Sequence, residues 1–82
     1  MEKALFILSK QKDQIADDII AETGNGTVVL VQDAVYRQNE WSLPVYAEKD
    51  DVEARGIRSR YELVEIEEIL DLIELHSHVI VL

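Results

Sequence analysis

The residues best placed to do chemistry follow the most aliphatic stretch of the chain. Residues 28–31 carry no polar side chain, and Gln32 and Asp33 come directly after them. Such a run predicts a strand buried on both faces, as in a parallel sheet covered by helices. Open α/β sheets usually carry functional groups at the carboxyl ends of their strands. Gln32 and Asp33 are therefore a candidate ligand-binding pair, but a helix-capping Asp33 beside a Gln32 at the buried edge explains the same residues and is the preferred interpretation.

Two histidines form the other pattern that could do chemistry. His76 and His78 are separated by one residue, and an extended segment would place both rings on one face. A stable metal site needs a third or fourth ligand. Solvated histidines are thus the preferred interpretation, and we expect no metal and no cofactor.

Catalytic motifs are missing from the sequence. It contains neither GxGxxG nor GxxxxGK[ST], and Gly24-Asn25-Gly26 follows a predicted helix, which is the wrong order for a phosphate loop. There is no nucleophile elbow around a serine. The chain has no cysteine, which excludes disulfides and covalent sulfur chemistry on its own side chains. We expect that the chain is not an enzyme by itself.

Length and charge narrow the class of protein. The 82 residues predict one domain, 1–82, with 48% hydrophobic and 30% charged residues, as in a soluble globular protein. The net charge of −9 argues against direct contact with nucleic acid, whose binding surfaces need clustered Lys and Arg. No apolar stretch approaches the roughly 20 residues that cross a bilayer. The expected location is the cytosol, with no membrane contact.

The elements that must position these residues alternate along the chain. We predict strands at 3–9, 28–31, 44–47, 62–66 and 79–82 and helices at 10–23, 34–38 and 48–56, with a last helix carrying Ile66, Ile69, Leu70 and Ile73 at helical spacing. Their order predicts an α/β fold, a small single-domain parallel sheet of four to five strands with helices on both faces, like a small flavodoxin or Rossmann fold.

Local signals set the expected ends of these elements. Ser9 is the predicted cap of the first helix, whose apolar stripe comprises Ala16 and three isoleucines, Ile15, Ile19 and Ile20. Gly24 and Gly26 supply the positive φ that ends this helix and turns the chain. Trp41 stands in a polar stretch, either as a lid over the edge of the core or as an anchor at a protein interface.

Three segments together resemble the DsrH/TusB family of sulfur-relay subunits. They are VLVQDAV at 29–35, PVYA at 44–47 and DDVEARGI at 50–57, and members of that family look like LLQDGV, VYAL and EDLxARGL in the same order. The resemblance covers almost the whole chain. It departs at Ala34, where the family commonly has glycine, and in the terminal VIVL segment.

The resemblance implies a DsrE-like fold and an assembly with DsrE-like (TusD) and DsrF-like (TusC) subunits. Such complexes pass persulfide sulfur from a cysteine toward 2-thiolation of the tRNA wobble uridine or serve sulfur oxidation. Because a persulfide needs a thiolate, a chain without cysteine can only be a non-catalytic subunit whose sulfur carrier lies on a partner.

Two alternative functions from different classes therefore stand, and the relay subunit is preferred. A relay subunit should expose apolar surface around Val35, Tyr36, Trp41 and the outer side of the last helix. The alternative is a stand-alone homo-oligomer that binds a small ligand near Gln32 and Asp33. The short chain and the wide apolar arc of its last helix favour an oligomer in either case.

Overall fold

A computed structural model describes residues 4–82 as an α/β fold with one five-stranded sheet. The strands are β1 (Ala4–Leu8), β2 (Thr27–Leu30), β3 (Val45–Glu48), β4 (Glu62–Val64) and β5 (His78–Val81). The helices are α1 (Gln14–Thr23), α2 (Lys49–Ala54) and α3 (Ile66–Leu75), and a 3₁₀ helix spans Gln32–Tyr36. All strands are parallel in the order β4-β3-β2-β1-β5, which confirms the predicted fold class.

Helices pack on both faces of the sheet because the central strands are apolar on both sides. On the first face, Phe6 and Val28 form one buried cluster with Ile20 of α1 and Val52 of α2. On the second face, Leu5 and Val29 pack with Val64 and with Ile69 of α3. The four residues of β2 are all buried, as the absence of polar alternation predicts.

The start of α1 differs from the prediction. Its N-cap is Asp13, whose side chain accepts a 3.2 Å hydrogen bond from the Ala16 N–H, so the helix begins four residues later than expected. The Ser9 hydroxyl instead donates to the Leu82 carbonyl at 3.2 Å. The predicted stripe is also partly wrong, since Ile15 is 70% exposed while Ala16 and Ile20 are buried.

The turn between α1 and β2 has the predicted glycine conformations. Gly24 has φ 71° and donates its N–H to the Ile20 carbonyl at 3.1 Å, which ends the helix. Gly26 has φ 117°, and a Cβ there would lie 2.3 Å from the carbonyl oxygen of Ala4. Any larger residue at position 26 would therefore displace β1 or β2.

The second half of the chain follows the predicted order with shifted boundaries. The Glu48 carboxylate caps α2 by accepting from the N–H groups of Asp50 and Asp51, at 2.8 and 3.3 Å. Gly56, with φ 61°, follows this helix as predicted. Strand β4 lies at a sheet edge, as its alternation suggested, and is shorter than predicted because Glu65 forms a capping box that starts α3.

Helix α3 presents a different stripe to the sheet from the predicted one. Ile69 is buried, and Leu72 and Ile73 pack beside it. Ile66 and Leu70, which the spacing placed on the core side, are 53% and 55% exposed. The helix faces the sheet through Ile69, so these two side chains lie on its flank. Over residues 4–82, no helix has the length and apolar content needed to cross a bilayer.

Candidate functional site

Gln32 lies at the carboxyl end of the central strand, where the sequence placed a candidate site. It has φ 50°, which is uncommon for a residue other than glycine and costs about 1–2 kcal/mol. Its backbone N–H donates to the Asp51 carboxylate at 2.8 Å. This charge-assisted bond from α2 stabilises the left-handed conformation of Gln32.

Asp33 takes part in an ion pair and does not cap a helix. The 3₁₀ helix already begins at Gln32, and its N-cap residue, Val31, makes no side-chain capping bond. Oδ1 of Asp33 instead accepts from Nε and Nη2 of Arg55 at 3.2 and 3.1 Å. Arg55 also donates to the Asp51 carboxylate at 3.4 Å. The capping interpretation is thus wrong, because the 3₁₀ helix begins before Asp33 and the Asp33 carboxylate pairs with Arg55.

We call Gln32, Asp33, Asp51 and Arg55 the edge cluster. The Asp33 side chain is 67% exposed, whereas those of Asp51 and Arg55 are 29% and 23% exposed. Because Asp33 is largely exposed, its ion pair with Arg55 contributes only about 0–1 kcal/mol to fold stability. The Asp33 carboxylate is the charged group of the cluster that is most accessible to a ligand or partner.

The other three predicted site residues have different surroundings. Val35 is only 1% exposed and belongs to the core of the first face, so the expectation of exposed surface there is wrong. Tyr36 is 36% exposed. Trp41 is half-buried against the first-face core, and Cζ of Arg37 lies 6.0 Å from the centroid of its ring. Trp41 thus covers the edge of the core, as its lid interpretation proposes.

Arg37 is a buried charge that the sequence analysis did not identify. It is 3% exposed, its Nε donates to the Lys10 carbonyl at 2.9 Å, and Nη1 lies 2.5 Å from the Asp17 carboxylate. Within the part of the chain that the structure describes, its Nη2 has no hydrogen-bond partner. The pairing joins residues 20 positions apart, for which the sequence carries no local signal.

A surface cavity of about 490 Å³ lies beside Arg37. Its wall includes Lys12 from the loop before α1, Gln14 from α1, and Gln38 and Asn39 from the segment after the 3₁₀ helix. The lining also includes two positive side chains, Lys12 and Arg37, and two negative ones, Asp13 and Asp17. The lining does not include Gln32 or Asp33, so the structure separates the predicted pair from this cavity.

Tyr61 forms a hydrogen bond with the segment that follows the 3₁₀ helix. Its hydroxyl donates to the Asn39 carbonyl at 2.7 Å. Burial raises the pKa of Tyr61 above its ordinary value, and the positive charges of Arg60 and Arg37 partly offset that rise. The phenol is thus a neutral structural donor at physiological pH.

Within residues 4–82, the two histidines do not belong to a group of three possible metal ligands. Nδ1 of His76 lies 2.6 Å from the Leu72 carbonyl, and Nε2 lies 2.9 Å from Oγ1 of Thr27. His76 thereby ties the end of α3 to β2. Across residues 4–82, no three acidic or histidine side chains converge on a possible metal position.

The geometry of this region is suited to binding. The edge cluster offers paired charges and the cavity offers a polar wall, but the chain has no cysteine to accept sulfur. Comparisons of the chain with protein-family models, with curated proteins and with solved structures found no match.

Proposed function

We propose that this chain is a non-catalytic subunit of a cytoplasmic sulfur-relay complex. Its partners would be DsrE-like (TusD) and DsrF-like (TusC) subunits, one of which carries the cysteine that holds the persulfide. The complex would serve 2-thiolation of the tRNA wobble uridine or sulfur oxidation. The chain itself would contribute contact surface and would not touch RNA.

The observation that best supports this proposal is the contact between two of the segments that carry the family resemblance. Asp33 of the QDAV segment pairs with Arg55 of the DDVEARGI segment, 22 positions away. The N–H of Gln32 donates to Asp51 in the same two segments. Strands β2 and β3 are neighbours in the sheet, so the segments that follow them meet at its carboxyl edge. A DsrE-like α/β fold, which the resemblance implies, would bring the same two segments together, and this agreement supports the proposal.

The charge of the chain fits a role in which it contacts protein and not nucleic acid. A net charge of −9 repels a phosphate backbone, and the edge cluster contains two carboxylates for one guanidinium. A partner subunit with a basic side chain could complete that cluster, because the Asp33 carboxylate is largely exposed.

The decisive experiment is co-expression with DsrE-like and DsrF-like proteins encoded beside this chain. Light scattering on the purified material should give a stable mixed complex whose partner carries a reactive cysteine. Asp33→Ala should weaken this complex about tenfold or more if the edge cluster lies in the contact. Asp50→Ala is the matched control, since Asp50 is an exposed acid outside the cluster. A chain that stays free of these proteins would contradict the proposal.

A second candidate, a stand-alone protein that binds a small ligand, is favoured by the cavity beside Arg37. The lining of this cavity does not include Gln32 or Asp33, so this candidate function would use a different position from the one that the sequence suggested. Inorganic phosphate and succinate are suitable probes in a thermal-shift assay. A rise in melting temperature that Lys12→Ala abolishes and that an exposed control, Lys49→Ala, retains would favour this function. No shift with either probe would count against it.

A further inference from the structure

Within residues 4–82, the second face of the sheet carries one helix over five strands. Helix α3 packs on Leu5 of β1, Val29 of β2, and Tyr46 and Val64 of β3 and β4. Strand β5 lies beyond β1 at the opposite edge from β4. Parallel sheets are normally covered on both faces, so the β5 side of this face lacks part of a layer in residues 4–82.

The register shows which β5 side chains belong to that face. Val79 pairs with Leu5, and Val81 pairs with Ile7, both of which belong to the second-face cluster. Val79 is 40% exposed and Val81 is 71% exposed. These two valines continue the apolar face of β1 outward to the sheet edge.

Helix α3 adds exposed apolar side chains on the flank nearest β5. Glu68 and Asp71 lie on the other flank, where they border a cavity with Tyr46 and Glu62 of the β3 and β4 side. Ile66 and Leu70 are one turn apart on the flank away from this cavity. We call Ile66, Leu70, Val79 and Val81 the α3–β5 patch.

We propose that a second copy of this chain covers the α3–β5 patch, forming a symmetric dimer. In each copy, Ile66 and Leu70 project from one flank of α3. Val79 and Val81 belong to the solvent-exposed part of the sheet beside that flank. A two-fold axis would set the helix of each copy against the bare sheet of the other. Such self-complementarity is what a symmetric interface requires.

The size of the patch matches what a dimer interface needs. Its four side chains expose between 40% and 71% of their surfaces. Together they offer an apolar area on the order of 400 Å², close to the apolar share of the ~800 Å² that each partner buries in a standard interface. The largest exposed apolar patch on a typical monomer measures about 300–600 Å² and often serves a function, and the α3–β5 patch falls in that range.

Charge at the rim of the patch determines how the dimer should respond to salt. Glu67 and Glu74 are exposed on the helix surface next to Leu70, so two copies bring like charges together. Exposed charges are screened over about 8 Å at physiological ionic strength. Self-association should therefore strengthen as sodium chloride is added, whereas contact with a basic partner would weaken.

Light scattering and sedimentation velocity on the chain alone test the proposal. The wild-type mass should be twice the 9.4 kDa of one chain. Leu70→Glu and Val81→Glu, on different elements, should each weaken self-association by at least about thirtyfold. Ile15→Glu is the matched control, because Ile15 is 70% exposed on α1, which packs on the first face, and should leave the dimer intact.

Either of two results would overturn the proposal. The first is a wild-type chain that stays monomeric at about 100 μM, a concentration at which a micromolar dimer is almost fully formed. The second is a dimer that survives Leu70→Glu or Val81→Glu, with circular dichroism showing that the variant is folded. Because the measurement uses this chain alone, its failure is distinct from failure of the sulfur-relay proposal.

Discussion

At the scale of single residues, Arg37 joins three separate parts of the chain near the carboxyl edge of the sheet. It contacts the loop before α1 through Lys10, the helix itself through Asp17, and the following segment through Trp41. A guanidinium that is 3% exposed depends on its carboxylate partner, because an unpaired buried charge is costly. The cavity wall therefore depends on the Asp17–Arg37 pair.

We predict that Asp17→Ala lowers the free energy of unfolding by about 3 kcal/mol, since it leaves the buried Arg37 charge without its carboxylate. Asp18→Ala is the matched control on the same helix, because the Asp18 carboxylate accepts an exposed hydrogen bond from the Gln14 amide at 2.9 Å. It should cost about 0.5 kcal/mol or less. Urea unfolding curves measure both. Equal losses of unfolding free energy in the two variants would show that the Asp17–Arg37 pair stabilises the fold no more than an exposed contact does.

Because burial raises the pKa of Tyr61, we predict that the free energy of unfolding falls at alkaline pH. Burial raises the pKa of Tyr61 above 10.0, so the folded chain holds the phenol proton more tightly than the unfolded chain does. The resulting stabilisation is complete below about pH 10 and is lost as the pH rises through the folded pKa. Tyr61→Phe should therefore show a shallower alkaline loss of unfolding free energy than the wild type.

The same variant removes the hydrogen bond to the Asn39 carbonyl, so at neutral pH it should cost about 1 kcal/mol. Denaturation at a series of pH values separates the two effects, since only the titration changes with pH. Parallel curves for wild type and Tyr61→Phe above pH 10 would refute the role of this phenol.

At the scale of elements, the α1–β2 turn illustrates how two glycines with positive φ differ. Gly24 has open space around the position of a Cβ, while at Gly26 a Cβ would meet the carbonyl of Ala4 in β1. Gly24 is needed only for the left-handed backbone conformation that ends α1. The second is needed for the close approach of β2 to β1, the strand with which it pairs.

We predict that Gly26→Ala destabilises the fold more than Gly24→Ala. The Gly24 variant should cost about 1 kcal/mol from its left-handed backbone alone. The Gly26 variant adds a 2.3 Å clash with backbone, which no side-chain rotation can relieve. Thermal unfolding of the two variants compares them directly. A Gly26→Ala variant as stable as Gly24→Ala would mean that β1 and β2 shift apart at low cost.

At the scale of the whole molecule, the uneven covering of the sheet is the main structural feature. The first face carries α1, α2 and the 3₁₀ helix, while the second carries α3. A chain of 82 residues buries a smaller share of its surface than a larger domain does. Burial of the α3–β5 patch against a second copy would add to a core of limited size.

Much of the architecture could be predicted from the sequence because its signals are local. Unbroken aliphatic runs at β1 and β2, glycines after α1 and α2, and the alternation of strands with helices all depend on near neighbours in the chain. They predicted a parallel α/β sheet, an edge position for β4 and a final strand. They also predicted that Gln32 and Asp33 follow the central strand, β2.

The remaining features depended on the tertiary structure, since they join residues far apart in the chain. The partner of Asp33 is Arg55, and that of Arg37 is Asp17, and no spacing rule specifies either pair. Helical spacing also could not tell that Ile15, Ile66 and Leu70 would be exposed, because exposure depends on where each helix lies on the sheet. The sequence by itself determined the elements and their order, through local backbone preferences and hydrophobic periodicity. Packing in three dimensions decided which charges meet and which apolar side chains remain uncovered.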